Sequence, residues 1–172
     1  MKKVIPIVLL LLLFCFFSAC EKDDICVDGD TPLLVIGFFD IEDNELEKDV
    51  SALRIRALNV TEPLNGEEAP DIDRTARDSV GIPLQITTNS TAFEFIIDSA
   101  DDEDGNETGN IDTLTLNYTV LEKFISRACG FVANYDDLSF NLTADSDNWI
   151  QNVIIEDTLI ENSSNIHVKI FH

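Results

Sequence analysis

Residues 113–120 read Thr-Leu-Thr-Leu-Asn-Tyr-Thr-Val. Leu114, Leu116, Tyr118 and Val120 alternate with Thr113, Thr115, Asn117 and Thr119, the period of two that puts apolar side chains on one face of a strand and polar ones on the other. Threonine, valine and tyrosine suit a pleated, half-buried surface. Such a strand buries one face only, so it predicts a second layer packed against it.

The same period recurs on both sides of this segment. Leu53, Ile55 and Ala57 alternate with Arg54 and Arg56, and Phe93, Phe95 and Ile97 share a face opposite Glu94 and Ile96. Residues 33–39 form an apolar run interrupted only by Gly37, the pattern of a strand buried on both faces. Downstream, strands are predicted at 122–129 (Phe124, Ser126 and Ala128 on one face), 138–143 (Leu138, Phe140 and Leu142 together), 149–155 and 165–171. In the last, Ile166, Val168 and Ile170 face one way and His167, Lys169 and Phe171 the other. No segment after residue 20 sustains helical spacing over three turns. Many short strands joined by polar connections predict an all-β antiparallel β-sandwich over residues 33–172, immunoglobulin-like or related.

Two connections are long. Residues 62–78 hold Pro63, Gly66 and Pro70 among charges, before a short segment that Pro83 restricts to a sheet edge. Residues 98–112 carry seven carboxylates among Gly105, Asn106, Gly109 and Asn110.

The N-terminal residues are of a different kind. Lys2 and Lys3 lead into an apolar run over residues 4–17, which closes on Phe17-Ser18-Ala19-Cys20. A positive end, a hydrophobic stretch of secretory length and small residues before a cysteine predict a cleaved lipoprotein signal peptide over residues 1–19, forming a loose helix until it is removed. Cys20 then becomes the lipidated first residue and residues 20–32 a tether. A permanent span needs about 20 apolar residues; this run is shorter and meets Glu21-Lys22-Asp23-Asp24. Several acyl chains on one residue supply stable anchoring.

Without residues 1–19 the 172-residue chain leaves 153, the size of one domain able to bury a core of its own. Nine basic residues then remain against 33 acidic ones, a formal charge of about −24. Such a surface repels phosphate backbones and anionic headgroups, which excludes nucleic acid as a partner and leaves membrane contact to the lipid. With Cys15 discarded and Cys20 acylated, Cys26 and Cys129 remain as an even pair in an exported protein, and a disulfide between them is expected.

Chemistry-bearing constellations are few. From Asp104, the residues Asp104, Asn106, Thr108, Gly109, Asn110 and Asp112 place oxygens at alternate positions and glycine at the sixth, as in a calcium loop. Thr115 stands where a bidentate glutamate belongs and the flanks are strands, so Asp104, Asn106, Asn110 and Asp112 are a weak calcium candidate beside the reading of a solvated hairpin tip. His167 and His172 are the only histidines, with His167 expected to face outward on a terminal strand. No serine or cysteine sits in a nucleophile elbow, so no catalytic residue and no enzymatic activity are expected. Trp149 follows the polar turn 145–148 and reads as a core or edge-covering residue, with a glycan-binding rim as the alternative.

Cys26, Thr31-Pro32, Phe38-Phe39-Asp40, Ser126-Arg127-Ala128-Cys129-Gly130-Phe131, Asn148-Trp149-Ile150 and the terminal His167-Val168-Lys169-Ile170-Phe171-His172, read with the lipobox, resemble a family of small Bacteroidota lipoproteins of unknown function. The resemblance spans nearly all of the mature domain and implies no catalytic or binding residue. Lys22-Asp23-Asp24 is similar to the signal that sends such lipoproteins to the cell surface, and leaves open display there or on the periplasmic face. The expectation is a lipid-anchored outer-membrane protein that binds, or serves as accessory subunit to, an envelope protein partner. The alternative is a calcium- or glycan-binding surface module.

Overall fold

The structure is a computed structural model and describes Cys26, residues 29–64 and residues 73–172. The expected signal helix over residues 1–19, Cys20 and part of the 62–78 connection lie outside the described residues. Nine strands follow in chain order: β1 (Leu34–Phe39), β2 (Val50–Ala57), β3 (Thr75–Arg77), β4 (Ser79–Ile82), β5 (Ser90–Ile97), β6 (Asn110–Ser126), β7 (Gly130–Leu142), β8 (Asn152–Ile155) and β9 (Val168–Phe171). They form a four-stranded sheet, β4-β1-β9-β8, and a five-stranded sheet, β3-β2-β5-β6-β7. The chain is an all-β sandwich, and among the described residues no helix is long and apolar enough to cross a membrane.

Two compact units are present. Residues 30–123 and 132–172 make the sandwich, while residues 124–131 group with Cys26 and Gly29. In the sandwich, Leu114, Leu116 and Tyr118 of β6 meet Phe93 and Phe95 of β5, Ile36 and Phe38 of β1, and Val168 and Ile170 of β9 in a single buried cluster. At about 25 cal/mol per Å² of apolar surface removed from water, such a cluster is the main force holding the two layers together. Tyr118 and Tyr135 cross edge to face at 5.1 Å, and their hydroxyls donate to the Gln85 and Leu84 carbonyls at 2.9 and 3.1 Å. Burial pushes the Tyr135 hydroxyl up to about 12, so it serves as a neutral donor inside the core.

The β1–β4, β2–β3, β2–β5, β5–β6 and β8–β9 pairs are antiparallel, whereas β1 and β9 run parallel with Ile36 opposite Val168 and Phe38 opposite Ile170. This places β9 in the interior of its sheet and corrects the expected orientation of His167. The ring is buried because β1 lies alongside, and the Val35 amide donates to its Nδ1 at 3.0 Å. Phe171 is buried as well, since Phe39 covers the outer face at a ring distance of 5.9 Å. As expected, the segment before Pro83 is an edge strand, β4.

The strands predicted separately at 113–120 and 122–129 are one 17-residue strand, β6, and the break falls later, at residues 127–129. Gly130 adopts φ +73°, a left-handed conformation that glycine takes without steric cost, and it starts β7. In β7 Leu138 is buried while Phe140, expected on the same face, is exposed.

Candidate functional site: the acidic loop and the cysteine-bonded turn

The acidic connection is an ordered clasp over the outer face of the five-stranded sheet. It begins at a bulge in β2, where the register shifts between Val50 and Leu53 and Ala52 has φ 42°. The Asp98 and Ser99 amides donate there to the Ser51 and Ala52 carbonyls at 2.9 and 3.1 Å. The chain then doubles back, with a bridge between Asp101 and Glu107 and the Thr108 amide on the Ala100 carbonyl at 2.8 Å. Gly109 closes the loop against Ile96: a Cβ there would stand 2.6 Å from Ile96 Cγ2 and 2.7 Å from the Ile97 carbonyl oxygen. That close approach explains why Ile96, on the polar side of β5, is fully buried.

Glu107 is the centre of this clasp. Its Oε1 accepts from the Ala100 and Gly109 amides, both at 3.0 Å, and its Oε2 accepts from the Ser99 hydroxyl at 2.8 Å and from Arg54 Nη1 at 3.2 Å. Burial pushes its carboxyl up, and these bonds more than offset that, so it stays below the usual glutamate value. Arg54 also forks onto Asp73, Nε to Oδ1 at 2.6 Å and Nη2 to Oδ2 at 3.1 Å. Arg74 donates to Ser99 Oγ at 3.1 Å and pairs with Asp101. The Arg54 bond holds the Asp73 carboxyl low, and the Arg74 bond does the same for Asp101. Chemically the cluster is a set of carboxylates neutralised by two guanidinium groups.

The four calcium candidates have separate engagements. Asp104 is exposed, its amide donating to Asp102 Oδ1 at 2.9 Å, and the Asn106 side-chain amide donates to Asp102 Oδ2 at 3.0 Å. Asn110 Nδ2 donates to the Asp147 carbonyl at 2.6 Å. Asp112 is fully buried, with Oδ2 accepting from the Ile150 amide at 2.7 Å and Oδ1 without a hydrogen-bond partner among the described residues. Burial pushes the Asp112 carboxyl above the usual aspartate value. Among the described residues no three His, Cys, Asp or Glu side chains group as metal ligands. Asn110 and Asp112 instead fasten the 143–151 crossover between the two sheets. In it Trp149 is buried, donating from Nε1 to the Phe95 carbonyl at 3.1 Å.

The second feature lies in the small unit. Cys26 and Cys129 are joined by a disulfide, with Cα atoms 4.9 Å apart, inside the range such bonds occupy. The Cys129 amide donates to Ser126 Oγ at 3.0 Å, which closes the turn, and Gly29 is packed on the bond so that a Cβ there would lie 2.3 Å from Cys26 Sγ. Phe124 and Phe131 flank the turn in edge-to-face contact, ring centres 5.2 Å apart. They are 56% and 66% exposed, the highest values among the aromatic residues described as exposed. Sequence reading placed Phe124 on one face of a strand with Ser126 and Ala128, and Phe131 entered only as the end of the Ser126–Phe131 motif. The one available signal was their placement around Cys129.

His172 closes the sandwich rim. Its Nε2 meets the Lys48 carbonyl at 3.3 Å while Lys48 Nζ donates to the His172 carbonyl at 2.8 Å. Burial holds both histidines below the usual value, so they are neutral at pH 7.

No curated protein and no solved structure matches the chain. Residues 55–172 match the model of one family, from within β2 to the last residue, a span that takes in Cys129, Glu107 and His167 but not Cys26. With more than half of its residues matched, the chain belongs to that family, a family of unknown function (DUF6452).

Proposed function

We propose that the chain is an exported, lipid-anchored protein of a Bacteroidota outer membrane, which acts there by binding or as an accessory subunit of an envelope complex. The observation that carries this reading is Cys20, set directly after Phe17-Ser18-Ala19 and a signal-length apolar run. The bonded pair Cys26 and Cys129 supports it, because structural disulfides persist in oxidising compartments. The acidic body supports a role through protein contact, since its charge disfavours nucleic acid and anionic headgroups alike.

Metabolic labelling with a clickable fatty acid tests the anchor. Wild-type protein takes up label and sediments with membranes, and Cys20→Ala loses both properties. An unlabelled wild type, or a Cys20→Ala variant still in the membrane pellet, overturns the reading. Crosslinking in intact cells then identifies the neighbour, and protease treatment of whole cells reads which face of the membrane carries the domain.

A further inference from the structure

The turn that joins β6 to β7 carries an exposed pair of aromatic rings. Residues 124–131 read Phe-Ile-Ser-Arg-Ala-Cys-Gly-Phe, with one arginine and no carboxylate in a chain that carries 33 acidic residues. Its two phenylalanines stand side by side, more than half exposed, and within the unit the disulfide fixes the turn to Cys26. Isolated exposed apolar residues are ordinary on protein surfaces. A paired aromatic tip on a disulfide-bonded turn, with a cation between its members, is the composition of an interfacial membrane contact, where aromatic rings sit at headgroup level and arginine meets lipid phosphate.

Chain length identifies the occupant. Cys26 lies six residues after Cys20, so a lipid on Cys20 keeps the disulfide within about 20 Å of the bilayer even if the intervening chain is fully extended. Short tethering raises the effective concentration of the tip at the lipid surface, so two phenylalanines suffice where they would be too weak on a free protein. We propose that Phe124 and Phe131 dock the cysteine-bonded turn into the headgroup layer of the membrane that holds the lipid anchor. This rests on the acylation of Cys20 and adds a protein contact where lipid alone was expected.

The test uses lipidated full-length Phe124→Trp and Phe131→Trp variants in vesicles of phosphatidylethanolamine and phosphatidylglycerol, with brominated or ordinary acyl chains. Wild-type protein, whose single tryptophan, Trp149, is buried, is the reference. Expected is a loss of most of the added tryptophan's emission in brominated vesicles, with a blue shift in ordinary ones, and no change for wild type. Protein that floats with the vesicles but keeps its emission overturns the docking and leaves the anchor standing. Protein that does not float overturns the anchor and the docking with it. A blue shift that follows protein density in the vesicles and not bromination assigns the tip to a second copy of the chain and likewise overturns lipid docking.

Discussion

The Val35 amide donates to Nδ1 of His167 at 3.0 Å while the His167 amide donates to the Val35 carbonyl at 2.9 Å. Through this reciprocal pair the parallel pairing of β1 and β9 extends one residue before β9 begins. The first bond requires an imidazole with a lone pair on Nδ1, and protonation removes that lone pair.

Acid is therefore expected to loosen the sandwich well above the carboxylate range. Burial lowers the affinity of folded His167 and His172 for a proton below the ordinary value of 6.5, so the unfolded chain takes up protons first. Their contribution is complete above that pH and is lost as pH falls from it toward the lowered folded values. Urea midpoints measured from pH 7.5 to pH 5 should fall with pH, and His167→Ala should flatten that slope while costing about 1–3 kcal/mol through the unpaired Val35 amide. A flat wild-type profile would contradict this account.

Reducing the Cys26–Cys129 bond should be expensive for stability. It closes a loop of 103 residues, for which loss of chain entropy in the unfolded state corresponds to about 4–5 kcal/mol. Urea unfolding with and without a thiol reductant, and of a Cys26→Ser/Cys129→Ser variant, measures the difference. Superimposable curves would show that the bond constrains little.

Glu107→Gln should release the clasp. The amide keeps an acceptor but loses the charge that faces Arg54 and Arg74, at a cost of about 1–3 kcal/mol. Amide hydrogen exchange at Ala100 and Gly109, both bonded to Glu107 Oε1, should accelerate, while exchange at Leu114 and Leu116 is set by global opening.

Asp112 should respond in the opposite sense. Its folded carboxyl binds a proton more readily than in the unfolded chain, so its burial is a penalty at neutral pH that eases as pH falls toward its raised value. Asp112→Asn keeps an oxygen for the Ile150 amide and removes the buried charge, and should match or exceed wild type at pH 7. Asp112→Ala orphans that amide and should lose about 1–3 kcal/mol. Thermal melts of all three at pH 7 decide the order.

Melts in millimolar calcium should coincide with melts in its absence, for wild type and for Asp104→Asn. The reason is that the Asp102, Asp73, Asp101 and Glu107 carboxylates already have hydrogen-bond or guanidinium partners. A calcium-dependent rise abolished in Asp104→Asn would restore the loop as a cation site.

The alternation at Leu114, Leu116 and Tyr118 was legible because a half-buried strand writes its period into a few adjacent residues. The disulfide was legible because counting left two cysteines. What could not be read locally depends on neighbours far along the chain. His167 is interior because β1, some 130 residues earlier, lies beside it, and the four residues of β9 carry no mark of that. Glu107 stood among six other carboxylates, and only the β2 bulge singles it out by bringing Arg54 and Arg74 to the loop. The end of β6 was missed because Arg127 and Ala128 are not turn formers and the signal, Gly130, lies just beyond them.

The order of strands in the smaller sheet has a consequence for its completion. Its layer runs β4-β1-β9-β8, so the strand that joins β1 to β8 is the last of the nine in chain order. Until β9 is in place, β1 and β8 have no common partner, although the larger sheet already has all of its strands. Without β9 the smaller sheet is reduced to the β4-β1 pair, with β8 left unpaired in it.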